Sequence, residues 1–176
     1  MMTLEQLVQD KSVALVGSAQ SLLGERLAQQ IDAHDIVIRM NLSVPNGHNR
    51  KSVGNKTDVW CAARAFVHER TPADTKHILF MKLTKLGDKE WPLIKRRPVD
   101  TTRWPATYEE EVLKFVGSPP GTGIRMLYWL KRIAHPKSVA VFGMDCWDTL
   151  SSWSGKPASA HNPALEKIAM ESLLRR

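Results

Sequence analysis

The chain has 176 residues, 43% of them hydrophobic, and a formal net charge of +7. That length and apolar content fit one ordinary domain with a real core and exclude a disordered chain. The longest apolar runs are far too short to span a membrane, and residues 1–6 do not read as a secretory signal.

The two cysteines, Cys61 and Cys146, are too few for a disulfide framework and have no metal-ligand companions close by. They read as reduced, buried thiols of a cytoplasmic protein without a zinc site. The positive charge suits nucleic acid, anionic lipid or phosphorylated small molecules, and equally a solvated basic surface, and does not choose among them.

In chain order, Leu4, Leu7 and Val8 share one side of a short helix over 3–9, and Val13-Ala14-Leu15-Val16 is a first strand. The strand meets Gly17-Ser18-Ala19-Gln20. Beyond it Leu22, Leu23, Leu27 and Ile31 recur at helical spacing, so the glycine turn is expected to lead into a helix ending near Asp32. Residues 35–41 form a second strand, completing a right-handed crossover unit. Residues 44–57 read as a polar loop, 57–62 as a third strand and 77–81 as a fourth.

The segment 82–105 has weak periodicity and carries Lys82, Lys85, Lys89, Lys95, Arg96, Arg97 and Arg103. It reads as an irregular basic insertion with no more than a helical turn. A helix over 107–116 carries Tyr108, Val112 and Phe115 on one side. The turn Gly117-Ser118-Pro119-Pro120-Gly121-Thr122-Gly123 opens another, faced by Met126, Leu127, Leu130, Ile133 and Ala134. Residues 138–143 are a strand ending at Gly143, and 144–160 are loop-like. A last helix starts at Asn162-Pro163, with Leu165, Ile168, Ala169 and Leu173 turned inward.

This alternation predicts a single α/β domain over 1–176, a Rossmann-like, mainly parallel sheet with helices on both faces. The turns at Gly17, Gly121 and Gly143 bring backbone amides and helix starts to one sheet edge, where such folds hold phosphate. Neither Gly-x-Gly-x-x-Gly nor Gly-Lys-Ser/Thr occurs, so a nicotinamide enzyme or an ATPase has little direct support. Arg39, inside an apolar strand, is expected to pair with Asp32, Asp35 or Asp58, a structural role in preference to a ligand contact. His34 likewise reads as structural.

Several blocks carry a resemblance: Val13 to Leu22 with its glycine turn, Ile31-Asp32-Ala33-His34-Asp35-Ile36-Val37-Ile38-Arg39-Met40-Asn41, Val53-Gly54-Asn55-Lys56-Thr57-Asp58, Pro120-Gly121-Thr122-Gly123, Val141-Phe142-Gly143-Met144-Asp145, and His161 followed five residues on by Glu166. In this order they resemble the sialyltransferase family of glycosyltransferases, over most of residues 12–62 and 119–170.

The resemblance implies inverting transfer of an acidic sugar, sialic acid or Kdo, from its CMP conjugate to a glycan or glycolipid hydroxyl, with no metal or other cofactor. It places the donor nucleotide at Gly17, Ser18, Gln20 and Asn41, the sugar carboxylate at Gly121, Thr122 and Gly123, and the base near Gly143, Met144 and Asp145. It makes His161 the general base, supported by Glu166. The residues agree: Asn162 is a good N-cap and Pro163 suits the first helical position, so His161 precedes a positive helix end that favours the neutral imidazole a base requires.

The chain departs from the family pattern at four places. Ser18 stands where the family has Asn, leaving Gln20 as a substitute contact. Gly121 replaces a hydroxyl residue. A further family histidine is missing, for which Lys156, near Trp153 and Ser154, offers a replacement phosphate ligand. The disulfide of animal members falls at about Val13 and Ala134 here, so both partners are absent together.

The basic insertion suits a peripheral contact with the inner membrane face, or simple solvation. The competing class is a nucleotide- or nucleic-acid-binding module without turnover, for which the scattered tryptophans would have to serve as stacking surfaces.

Overall fold

The computed structural model describes residues 3–41, 43–63, 72, 74–83, 85–96, 98–146, 148 and 161–175. Six strands, all paired in parallel, form one sheet: β1 (Ser12–Val16), β2 (Ile36–Met40), β3 (Val59–Ala62), β4 (His77–Phe80), β5 (Asp100–Arg103) and β6 (Ser138–Phe142), in the order β5-β4-β3-β2-β1-β6. The chain steps outward from β1 to β5 and then returns to β6 on the other side of β1. The order thus reverses between β1 and β6, and the crevice beyond their carboxyl ends is where open α/β sheets bind ligands.

The central strands are apolar throughout because both faces are covered. Val13, Ala14, Leu15 and Val16 are fully buried, with Val13 and Leu15 on one face and Ala14 and Val16 on the other. The larger core packs the first face against α1 (Leu4–Val8), α5 (Ala106–Val116), α6 (Thr122–Trp129) and α7 (Pro163–Leu174). On the second face, α2 (Ala28–Asp32) and α3 (Arg50–Val53) cover β1 and β2, and α4 (Lys85–Lys95) covers β3 and β4 through Ile94 and Trp91. Thr3 starts α1 with a reciprocal capping box: its hydroxyl accepts the Gln6 N–H and the Gln6 side chain accepts its own. Among the described residues no helix is long and apolar enough to cross a membrane.

Four expectations are corrected. The helix expected from Gly17 to Asp32 is two short pieces, a 3-10 turn over Gln20–Gly24 and α2, because Glu25 is extended and breaks the run. The segment 82–105 is not irregular: it forms α4, with Pro92 inside it, and the edge strand β5. Part of the loop 44–57 is the short helix α3. Ile168 points outward from α7, with 64% of its surface exposed.

His77 opens β4 with its Nε2 buried and without a hydrogen-bond partner among the described residues. Burial holds its imidazole below the ordinary value of 6.5, while the carboxylates of Asp100 and Glu5 pull the other way. The unfolded chain therefore takes up this proton more readily than the folded one. The folded state keeps its full stability above 6.5 and loses some as pH falls through that value. Urea melts from about pH 8 to about pH 5 are expected to show a falling midpoint below that point, and a smaller fall in His77→Leu.

Candidate active site at the carboxyl edge of the sheet

Gly17 follows β1 directly. A side chain there would strike the carbonyl of Gly143, which follows β6, so only glycine lets the two turns meet. They are stitched together by Gly17 N–H to Phe142 O at 2.7 Å, Ala19 N–H to Gly143 O at 3.0 Å, and Ser21 Oγ to Asp145 Oδ2 at 3.1 Å. The Gly17 amide is thus committed to β6, and the five-residue 3-10 turn beyond it supplies no long helix dipole. This corrects the expectation of a phosphate on the Gly17 amide: the glycine serves close approach. Ser18 is half-buried beside it and Gln20 is exposed.

Asn41 follows β2 in a left-handed conformation, φ 48°. Its N–H donates to Cys61 O and its carbonyl accepts the Trp60 indole N–H at 2.7 Å. Its side-chain Oδ1 accepts the Ala63 N–H at 2.9 Å, which fixes the orientation of the amide: a backbone donor must face the oxygen. The Nδ2 end has no hydrogen-bond partner among the described residues, and an NH2 group held this way is a donor suited to an anion.

The block preceding Asn41 holds it in place. Asp32 accepts the N–H groups of Asn55, at 2.8 Å, and Lys56, at 3.1 Å. Lys56 Nζ donates to His34 O and Asp35 O, both at 2.6 Å. Asp58 accepts Val37 N–H at 2.9 Å and pairs with Lys76 at 2.6 Å, and Asp35 accepts both the N–H and the hydroxyl of Ser12. The three carboxylates proposed for Arg39 are therefore engaged elsewhere. Arg39 is instead fully buried on the second face of the sheet, donating Nε to Lys56 O at 2.8 Å and Nη2 to Val53 O at 2.6 Å, with no partner for Nη1 among the described residues. Burial lowers its pKa to about 10, opposed by the nearby charge of Asp32, so it remains a cation at neutral pH. Its role is structural, as expected, but its partners are carbonyls. His34 is structural as well, donating from Nδ1 to Gln30 O and standing edge-on to Phe142.

The second half of the site is built on α6 and α7. Gly121 caps α6, and Thr122 and Gly123 form its first turn. Asn162 caps α7, its side chain accepting the Leu165 N–H at 3.2 Å, with Pro163 in the first turn. His161, immediately before this cap, sets Nδ1 3.0 Å from Pro119 O and 3.6 Å from Glu166 Oε1. A carbonyl only accepts, so the neutral ring carries its proton on Nδ1 and Nε2 is the basic nitrogen.

Glu166 is buried and accepts the Gly121 N–H through Oε1 at 2.6 Å. One carboxylate therefore joins the α6 cap to His161. This also corrects the expected anion site, because Gly121 presents its amide to the protein's own carboxylate. The N–H groups of Thr122 and Gly123 are the ones that a helix leaves open at its first turn.

Met144 and Asp145 follow Gly143, and Met144 lies against both Gly17 and Gly123. Lys156, Trp153 and Ser154 lie outside the described residues. Sequence reading missed Pro119, whose contribution is a backbone carbonyl, and Ser21, whose hydroxyl holds Asp145.

Burial pushes the thiol of Cys61 up and, together with Glu166, Asp145 and Asp148, that of Cys146 up to about 11, so neither is a thiolate nucleophile at neutral pH. Among the described residues no group of three or more His, Cys, Asp or Glu side chains is placed to hold a metal ion. Trp60, Trp104 and Trp129 are all buried, and Trp91 stacks on Phe80, so these four form no platform for nucleic-acid bases.

The family model for glycosyltransferase family 29 (sialyltransferase) matches residues 6–117. The chain belongs to that family. Over 49 residues it is 47% identical to beta-galactoside alpha-2,6-sialyltransferase 2 of Takifugu rubripes and 45% identical to that of Homo sapiens. The matched stretch is 28% of this chain and 9% of either relative.

The fold is similar to that of a mammalian sialyltransferase, with TM-score 0.76 and 19% identity over 99% of this chain and 71% of that one. It is also similar to a mammalian sialyltransferase in complex with Gal-beta-1-3GalNAc-ortho-nitrophenol, with TM-score 0.73 and 20% identity over 98% and 69% of the two chains. The sialyltransferase CstII from Campylobacter jejuni, in complex with the substrate analogue CMP-3FNeuAc, gives TM-score 0.60 and 14% identity over 94% and 76%. The family match ends at Gly117, so the assignment of Gly121–Gly123 and His161 to the same site rests on the geometry above.

Proposed function

We propose that the chain transfers an acidic sugar, a sialic acid or Kdo, from its CMP conjugate to a glycan hydroxyl, with inversion at the anomeric carbon and His161 as general base. The observation that carries this reading is the His161–Pro119–Glu166 arrangement at the ligand edge of the sheet. Nε2 accepts the proton of the acceptor hydroxyl as its oxygen bonds to the anomeric carbon. The bond from that carbon to the phosphate oxygen breaks, and CMP leaves with the electron pair. The imidazolium formed is stabilised by the carbonyl of Pro119 and the carboxylate of Glu166, as a buried carboxylate stabilises a catalytic imidazolium elsewhere. A single displacement of this kind inverts configuration.

The leaving phosphate gains charge as the bond breaks. Asn41 Nδ2 and the first-turn amides of α6 are the donors suited to it. A single phosphate held this way needs no divalent ion, and the reading is metal-independent. The relatives named as β-galactoside sialyltransferases, and solved structures holding CMP-3FNeuAc or a Gal-beta-1-3GalNAc derivative, support CMP-sialic acid as donor and a galactose-containing acceptor. Both cysteines are free thiols, which supports a cytoplasmic setting. The outer face of α4 supports peripheral contact with anionic lipid: Lys82 and Arg103 are paired with Glu90 and Asp88, while the exposed Lys89 and Arg96 stand four residues before and three after the exposed Leu93.

A thermal-shift screen with CMP, CDP, UDP, GDP and NAD tests the donor. A ligand at a hundred times its dissociation constant adds about 2.7 kcal/mol to stability. CMP is expected to raise the melting temperature and NAD to leave it unchanged; a rise with UDP or NAD but not with CMP refutes the reading.

A further inference from the structure

Three turns of the site meet around one side chain. A Cβ added to Gly17 would lie 2.7 Å from Met144 Cγ. One added to Gly123 would lie 2.7 Å from Met144 Cε and 3.1 Å from its Sδ, with Met40 Sδ at 3.3 Å. The Met144 side chain therefore runs from the turn after β1, where its stem starts, to the first turn of α6, where its tip ends. Met40, the residue before Asn41, touches the same point on α6. An unbranched, flexible thioether suits a slot of this shape.

The two glycines are needed for different reasons. The first obstacle to a side chain at Gly17 is backbone, the Gly143 carbonyl, which removing the Met144 stem behind it would leave in place. The obstacle at Gly123 is the movable end of Met144 and the sulfur of Met40. Within a helix alanine is otherwise preferred to glycine by about 1 kcal/mol. A glycine at this helical position is thus explained by the thioether it admits.

We propose that Met144 is a positioning residue of the donor site. Its side chain is the spacer that fixes the separation between the turn after β1 and the amino end of α6, and Gly123 is the notch that receives it. Hydrogen bonds already tie the β1 turn to β6. Met144 extends that rigid pair to α6, so the turns on the two sides of the proposed donor site move as one. The inference rests on the donor-site reading above.

The test is a double-mutant cycle of Gly123→Ala and Met144→Ala, read by calorimetric titration with CMP and by melting temperature without ligand. G123A is expected to keep the fold, because its obstacle is a flexible tip, yet to weaken CMP binding about tenfold by displacing the thioether. With Met144→Ala already present, the same change at Gly123 is expected to weaken binding by less than about twofold. Gly17→Ala is the control: its obstacle is backbone, so its loss persists in both backgrounds.

Effects of G123A and M144A that simply multiply, or a G123A variant with undiminished CMP affinity, overturn the proposal. If the unmodified chain binds no CMP, the donor reading fails separately. The spacer is then judged on melting temperature alone, where coupling of the two changes retains it and additivity overturns it.

Discussion

Replacing His161 with alanine is expected to lower the rate of sugar transfer by about 10²–10⁴-fold, the usual contribution of one positioned general base. The fold should survive. His161 stands outside α7, its neighbour Asn162 caps the helix without it, and nearly a quarter of its side chain, 23%, is exposed. The loss is expected in kcat, because proton transfer occurs as the new bond forms, while the affinity for CMP depends on groups elsewhere on the edge. Steady-state rates with a CMP-sugar donor, beside a melting curve, separate the two. A folded H161A variant that transfers sugar at the full rate removes His161 from the mechanism.

Asn41→Asp is the second large effect, and it acts on binding. The aspartate keeps an oxygen for the Ala63 N–H, and Asp tolerates the left-handed backbone of this position almost as well as Asn. Stability should therefore change little. The other end of the side chain, however, turns from an NH2 donor into a charged oxygen where the proposed function puts the phosphate. Two like charges about 4 Å apart repel by about 4 kcal/mol at an effective dielectric of 20. A hundredfold or greater loss of CMP affinity is the expected order of magnitude. Cytidine, which lacks the phosphate, should bind the variant and the unmodified chain alike. Equal weakening of CMP and cytidine would show that Asn41 meets some other part of the donor.

What the sequence made legible follows from burial. β1 and β2 are sandwiched between two helical layers, so their apolar runs are unbroken and their bounds are plain. β5 is an edge strand of Asp-Thr-Thr-Arg with no apolar alternation, and α4 carries Pro92 in its interior, a residue that reads as a helix break although Trp91 and Ile94 pack inward beside it. Of the residues spaced as one helical face before β2, Leu22 and Ile31 are buried and Leu23 is exposed, because the run is two short pieces and not one helix.

In the site, the N-cap at Asn162 and the position of His161 were readable because side chains carry them. The hold of Pro119 on His161 is a backbone contact across 42 residues and leaves no mark in the sequence. The most distinctive block, from Ile31 to Asn41, and the block from Val53 to Asp58 are largely a scaffold: Asp32, Lys56 and Asp58 bind backbone groups and present Asn41 at the edge. The same networks explain why Arg39 found carbonyls and not a carboxylate.

The central claim is that this sheet edge holds a CMP-linked acidic sugar and activates an acceptor against it. Release of CMP from CMP-sialic acid, measured with and without a β-galactoside and compared between the unmodified chain and H161A, tests it most directly. The account predicts release that depends on the acceptor and is nearly lost in H161A. Release at the same rate with or without the acceptor and with or without the imidazole would contradict it.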